Sequence, residues 1–243
     1  MSDLHGYLPS DITECDIVCI CGDIIPTYIQ NDPIKCITWL AGPFQTWALN
    51  LPCKNVILIW GNHDFIGQEL YKQYAFHDRK SINRGLEGYE QSSFLFDSDS
   101  EYKIRILLDS EVKLNGIKFY GTSWCPELRN WAFFQSKDDL IDKFYNIPED
   151  TDILLTHCPP KFGTQGVVLD KNNWSYLKDF GCEELQTMIK FKLNEGMHLV
   201  LSGHIHSGNH NTENNENIHY RNVSIKDENY EVNYQPYYFE WDS

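Results

Sequence analysis

No hydrophobic run in this 243-residue chain approaches the roughly 18 residues of a membrane-spanning helix, so a helical membrane protein is not expected. The opening Met1-Ser2-Asp3-Leu4-His5 lacks a basic region followed by an apolar one. No secretory leader is therefore read there, and a cytoplasmic location is expected. The eight cysteines contain no C-x-x-C pair, which argues against a zinc ribbon or a dithiol redox motif and for reduced thiols. Basic residues are scarce, 20 against 35 acidic, giving a formal charge of −15. Extended binding to a nucleic-acid backbone needs basic surface and is not expected. A small phosphorylated substrate remains open, because bound metal would make its site locally positive. With no internal repeat and no linker composition, residues 1–243 read as a single domain. Oligomeric state is not legible.

The chain does contain short, continuous apolar runs that each end in polar residues. Asp16 to Cys21 and Asn55 to Trp60 read as strands buried on both faces, and Asp152 to Leu155 and His198 to Leu201 as two more. Asp32-Pro33 predicts a helix start with Asp32 as cap, running to about Leu40 and breaking near Gly42-Pro43. Helices are also predicted over Gln68 to Arg79, Ser136 to Tyr145 and Glu183 to Leu193. Asn115-Gly116 between apolar runs predicts a type I′ hairpin. Gly85 to Ser100 reads as a surface excursion, Pro160 to Asp179 as a long loop, and Asn209 to Asn217 as a mobile, solvated stretch. Ile218 to Ile225 and Tyr230 to Trp241 alternate and read as antiparallel strands. The order predicts an α/β fold with a two-sheet β-sandwich core flanked by helices, a four-layer α/β/β/α arrangement.

The loops after the strand runs carry ligand-type residues: Gly22-Asp23, Gly61-Asn62-His63-Asp64, Thr156-His157 and Gly203-His204-Ile205-His206. A fifth group, Asp3-Leu4-His5-Gly6, has no visible strand before it. In open α/β sheets, sites form beyond the carboxyl ends of strands. Aspartate and histidine without thiolate suit Mn, Fe or Zn in an open site. Seven good ligands exceed what one four-coordinate ion needs and suit two ions about 3.5–4 Å apart sharing a carboxylate.

These five blocks, in this order, resemble the signature blocks of the calcineurin-like metallophosphoesterases. Leu108-Asp109-Ser110-Glu111-Val112, Phe119-Tyr120-Gly121-Thr122-Ser123-Trp124 and Thr156-His157-Cys158-Pro159-Pro160 are similar to the metallophosphoesterase-domain-containing branch, whose members act on cyclic nucleotides or model diesters. The resemblance implies one divalent ion held by Asp3, His5, Asp23 and His206, and a second by Asp23, Asn62, His157 and His204, with Asp23 bridging. It implies His63 as the general acid at the leaving group, with Asp64 orienting and polarising it. Animal members of the branch place glycine where His204 stands, so this chain is expected to bind metal better. The implied activity is hydrolysis of small phosphodiesters or cyclic nucleotides by metal-activated water. A phosphomonoesterase on the same site and a non-catalytic scaffold are the alternatives.

Only two residues precede Asp3, and chain ends tend to fray. Either the start lies upstream, or the Asp3/His5 half-site is loose; the ion at His206 is expected to be the weaker. His77, His198, His210 and His219 read as ordinary histidines. Of Trp124, Trp131, Phe133 and Phe134, most read as core, with a base-stacking wall as the alternative role.

Overall fold

The structure, a computed structural model, describes residues 1–76, 103–126, 129–169, 176–193, 195–196, 198–215 and 217–241. The predicted excursion over Gly85 to Ser100, His77 and the predicted helix end at Arg79 lie outside them.

The first apolar runs form β1 (Ile17–Cys21) and β2 (Asn55–Ile59), paired in parallel from Ile17↔Asn55 to Cys21↔Ile59. Strand β3 (Ile104–Ile106) adds in parallel on the other edge of β2. Asp32 caps α1 (Pro33–Trp39), accepting from the Lys35 N–H at 3.1 Å, with Pro33 in the first turn. The expected break at Gly42-Pro43 does not occur. The chain passes through a wider π turn, Leu40–Phe44, and continues as α2 (Gln45–Asn50). A π turn absorbs a proline that cannot donate to the regular ladder. Helix α3 (Phe65–Phe76) starts earlier than predicted, directly after Asp64.

Strands β4 (Ser110–Leu114) and β5 (Ile117–Thr122) form the predicted hairpin, with Asn115 and Gly116 at φ 53° and 84°. A short parallel pair follows, β6 (Cys125–Pro126) with β7 (Phe134–Gln135), then α4 (Lys137–Tyr145) capped by Ser136. Strand β8 (Ile153–Thr156) is fully buried. The segment expected as a long loop instead contains an antiparallel ladder, β9 (Val167–Leu169) with β10 (Tyr176–Asp179). Helix α5 (Glu183–Lys192) leads to β11 (His198–Ser202), β12 (Glu213–Asn215) and β13 (Ile218–Asn222). The second sheet has the order β12-β13-β11-β8-β5-β4.

Two expectations about the C-terminal third are corrected. Strand β13 is antiparallel to β12 as expected, but parallel to β11 on its other edge. Alternation reports which face is buried and says nothing of direction. Within Tyr230 to Trp241 the described residues contain no strand, only the bridge from Val232 back to Lys226. The stretch read as mobile contains β12, anchored by Glu213, whose carboxylate accepts from the Thr164 N–H at 3.0 Å.

Side chains of the strands divide between two clusters. Cys21, Ile57 and Ile59 of the first sheet join Phe119, Ile153, Leu155, Leu199 and Leu201 of the second. Their alternates Val18, Ile20, Val56, Leu58, Leu154 and Val200 join helical Cys36, Ala48, Leu140, Phe144, Leu185 and Ile189. This is the alternation that a sheet-rich α/β core with helices outside requires. Among the described residues no helix is long and apolar enough to cross a membrane.

The N-terminal residues are not loose. Met1 accepts from the Cys21 N–H at 2.9 Å, while the Asp3 and His5 N–H groups donate to Gly22 and Asp23 at 3.0 and 2.8 Å. On the other side Ser2 bridges Ser224 in parallel. Asp3 is fully buried. The physical reason for expecting a frayed half-site is thereby removed.

Candidate metal centre

Four of the five loops begin where β1, β2, β8 and β11 end, the Asp3/His5 loop following only the Ser2–Ser224 bridge, and the parallel registers of β1 with β2 and of β8 with β11 bring those ends to one side. The turns are tight. Asp3, His5, Asp23 and His204 all have positive φ, between 42° and 67°, which L side chains rarely adopt. Such strain concentrates at functional sites. Gly61 and Gly203 permit the close approach. A Cβ at Gly61 would strike the Asp23 carboxylate and lie 2.7 Å from His157 Cε1, and one at Gly203 would strike Ser2 and Asp3.

Among the described residues three overlapping groups could hold an ion: Asp3, His5 and His206; His5, Asp23 and His63; Asp3, Asp23 and His157. His206 Nε2 lies 3.3 Å from Asp3 Oδ1. His157 Nε2 lies 3.4 Å from Asp23 Oδ2 and 2.9 Å from Asn62 Oδ1. His5 Nε2 lies 3.7 Å from Asp23 Oδ2. Asp23 thus reaches histidines on both sides. His204 stands beside His157, ring centroids 5.1 Å apart, and its N–H donates to the Asp3 carboxylate at 3.0 Å. It joins none of the three groups.

Backbone carbonyls orient the imidazoles. His157 Nδ1 donates to Cys21 O at 2.8 Å and His206 Nδ1 to Asp227 O at 2.9 Å, which turns both Nε2 atoms inward. His5 is buried with neither ring nitrogen hydrogen-bonded. A buried imidazole without partners is costly unless something else is to occupy it. With the two buried carboxylates, that orphan fits a divalent cation.

Electrostatics agree. Burial opposes ionisation of Asp3 and Asp23, yet the neighbouring His206 and His157 hold both well below the usual carboxylate range. Burial pushes His5 down to about 4 and His204 to about 3, leaving both neutral and able to donate a lone pair. Burial disfavours charge on His157, but the adjacent Asp23 outweighs it and raises that imidazole to about 10.

One predicted pairing is corrected. Asp64 does not touch the His63 ring. It is fully buried and accepts from the backbone N–H groups of Ile24, Ile25 and Gly61 at 3.1, 3.0 and 2.8 Å. Burial and the Asp23 charge push it up to about 7, with those donors pulling the other way. The partner of His63 Nδ1 is Gln30 Oε1 at 2.8 Å. Adjacency in sequence suggested Asp64, but its side chain turns under the loop and pins it to the loop after β1. Gln30 carried no motif that could have marked it.

Of the other histidines, His198 is buried between the Thr151 and Glu195 carbonyls. His210 stacks on Tyr234 at 3.6 Å and hydrogen-bonds His206 O. Trp124 and Phe133 are core, whereas Trp131 lies beside His63. Tyr230, absent from the expected site, packs edge-on against His5 and His206.

Buried carboxylates and imidazoles gathered at one end of an α/β sheet pair form a centre that fits divalent metal. The model of the calcineurin-like phosphoesterase family matches residues 1–208, and the chain belongs to that family. It is accordingly a metal-dependent phosphoesterase of a family that uses divalent ions. Metallophosphoesterase domain-containing protein 1 of Homo sapiens and that of Mus musculus are each 32% identical to it, over 97% of this chain and 67% of theirs. A UPF0046 protein of Caenorhabditis elegans is 34% identical over 79% of this chain and 46% of its own.

Proposed function

We propose that the protein is a phosphodiesterase for small diesters with two divalent ions, Mn, Fe or Zn, at its centre. Asp3, His5, Asp23 and His206 would hold one ion, and Asp23, Asn62, His157 and His204 the other. Bound ions would supply Lewis-acid activation of water and charge neutralisation at the phosphoryl group. The observation that carries the reading is the buried Asp23, with imidazoles of both sets within 3.7 Å of one carboxylate oxygen.

His63 would give a proton to the departing alkoxide. Gln30 takes its Nδ1 hydrogen and leaves Nε2 free. Burial pushes His63 below its ordinary value. An anionic phosphoester drawn beside it would favour the protonated form, since an opposite charge nearby stabilises the cation. Asp64 holds the loop that carries Asn62 and His63 against the loop that carries Asp23.

The eight cysteines are free thiols, which supports a reducing compartment such as the cytoplasm. The net charge of −15 supports a small substrate over a nucleic-acid polymer. The test is turnover of bis-p-nitrophenyl phosphate against p-nitrophenyl phosphate on one metal-analysed preparation. Faster diester turnover with two ions per chain is expected; a monoester preference would move the protein to the phosphomonoesterases.

A further inference from the structure

Two aromatic side chains beside the centre belong to none of the ligand groups and remain exposed, Trp131 at 37% and Tyr230 at 42%. The Trp131 ring centroid lies 4.3 Å from that of His63. Tyr230 lies 4.8 Å from His5, 5.2 Å from His206 and 6.2 Å from His63, edge-on to each. Rings from two distant segments therefore share His63, the residue placed at the leaving group.

Both are held by links to the site. Ala132, next to Trp131, donates its N–H to the Asn62 carbonyl at 3.0 Å. Positive φ at Asn130 and Phe133, 73° and 53°, brackets the turn that presents Trp131. Tyr230 itself has φ 62°, a conformation disfavoured for a bulky residue. It sits in a turn within the hairpin closed by the Lys226–Val232 bridge, with Asp227 Oδ1 accepting from the Asn229 and Glu231 N–H groups at 2.8 and 3.1 Å. The Asp227 carbonyl accepts from the Tyr230 N–H and from His206 Nδ1, each at 2.9 Å. This segment lies beyond residues 1–208, the part matched by the family model.

A site with charged groups for a phosphate and exposed rings beside its leaving-group histidine is built for a ligand with both an anionic and a flat apolar part. Base–aromatic stacking uses such rings and tolerates any base. We infer that Trp131 and Tyr230 are specificity-determining residues that select an ester carrying a planar aromatic ring. The inference rests on the phosphodiesterase reading above and adds which residues choose the leaving side.

The test compares the Mn-loaded protein with its Trp131→Leu, Trp131→Phe, Tyr230→Leu and Tyr230→Phe variants. Kinetics use 2′,3′-cyclic AMP and the aliphatic diester glycerophosphocholine; equilibrium dialysis uses AMP and glycerol 3-phosphate. Each leucine variant should raise KM for the cyclic nucleotide and weaken AMP by about tenfold or more, and change the aliphatic pair by less than about twofold. The phenylalanine variants should keep most of the preference, because the ring and not the hydroxyl or indole nitrogen carries it. Equal shifts for nucleotide and aliphatic ligands, or no shift in either, would overturn the inference. If the parent protein hydrolyses neither diester, the phosphodiesterase reading fails, and the AMP-to-glycerol-phosphate binding ratio in the variants still decides for or against the rings.

Discussion

Replacing Asp64 and replacing Gln30 should have opposite signatures. Asp64→Ala removes the acceptor of three buried backbone N–H groups, those of Ile24, Ile25 and Gly61. A buried donor left unsatisfied costs about 1–3 kcal/mol, so three of them cost at least ~3 kcal/mol even if water relieves part. Against a typical stability of about 5–15 kcal/mol that is a large loss. For a chain of this size each kcal/mol lowers Tm by roughly 2–4 °C, so a drop on the order of 6–12 °C is expected. Gln30→Leu removes a half-buried partner of His63 and leaves the loops pinned. Its Tm should stay within about 2 °C of the parent, while kcat falls by roughly tenfold or more, as when an outer partner of an active imidazole is lost. The assays are calorimetry and diester turnover on the same preparations. If Asp64→Ala melted with the parent and lost only turnover, and Gln30→Leu were silent in kcat, Asp64 would be the partner of His63 and the reading of these hydrogen bonds would fail.

Four further outcomes are expected. His63→Asn should lower kcat by about 10²–10⁴-fold while metal analysis still finds both ions; loss of an ion would reassign His63 as a ligand. Chelation should abolish turnover, and restoring metal at about 100 times its Kd should add ~2.7 kcal/mol of stability, seen as a Tm rise of roughly 5–10 °C. Gly203→Ala should lose metal, since its Cβ would meet Asp3 and Ser2, and normal metal content in that variant would contradict the close packing described. Burial of Glu213 opposes its ionisation, but donors from Gln165 and Thr164 outweigh this and place it below its ordinary 4.5. Its stabilisation is complete above that unfolded value and is lost as pH falls through the folded one. Glu213→Gln should therefore show a shallower loss of stability below about pH 4.5 in acid melts.

By itself the sequence was enough to locate the buried strands, because continuous β-branched runs such as Asn55 to Ile59 have no other stable place, and to mark the Asp, Asn and His residues at their ends. It also held the Asn115-Gly116 hairpin and the caps Asp32 and Ser136, all local chemistry. What it could not decide was anything set by a partner far along the chain. The direction of β13 depends on β11 and not on its own alternation. The order of residues 1–6 comes from β1 on one side and Ser224 on the other. His63 takes its partner from the loop after β1, so neighbouring Asp64 was the natural but mistaken choice. Gln30 and Tyr230 reach the centre only through folding, because a hydrogen bond or ring contact between distant segments leaves no pattern in either one. The candidate ligands were legible because metal chemistry admits few residue types; their supports were not, because almost any residue can supply a carbonyl, an amide or a ring once the tertiary structure brings it near.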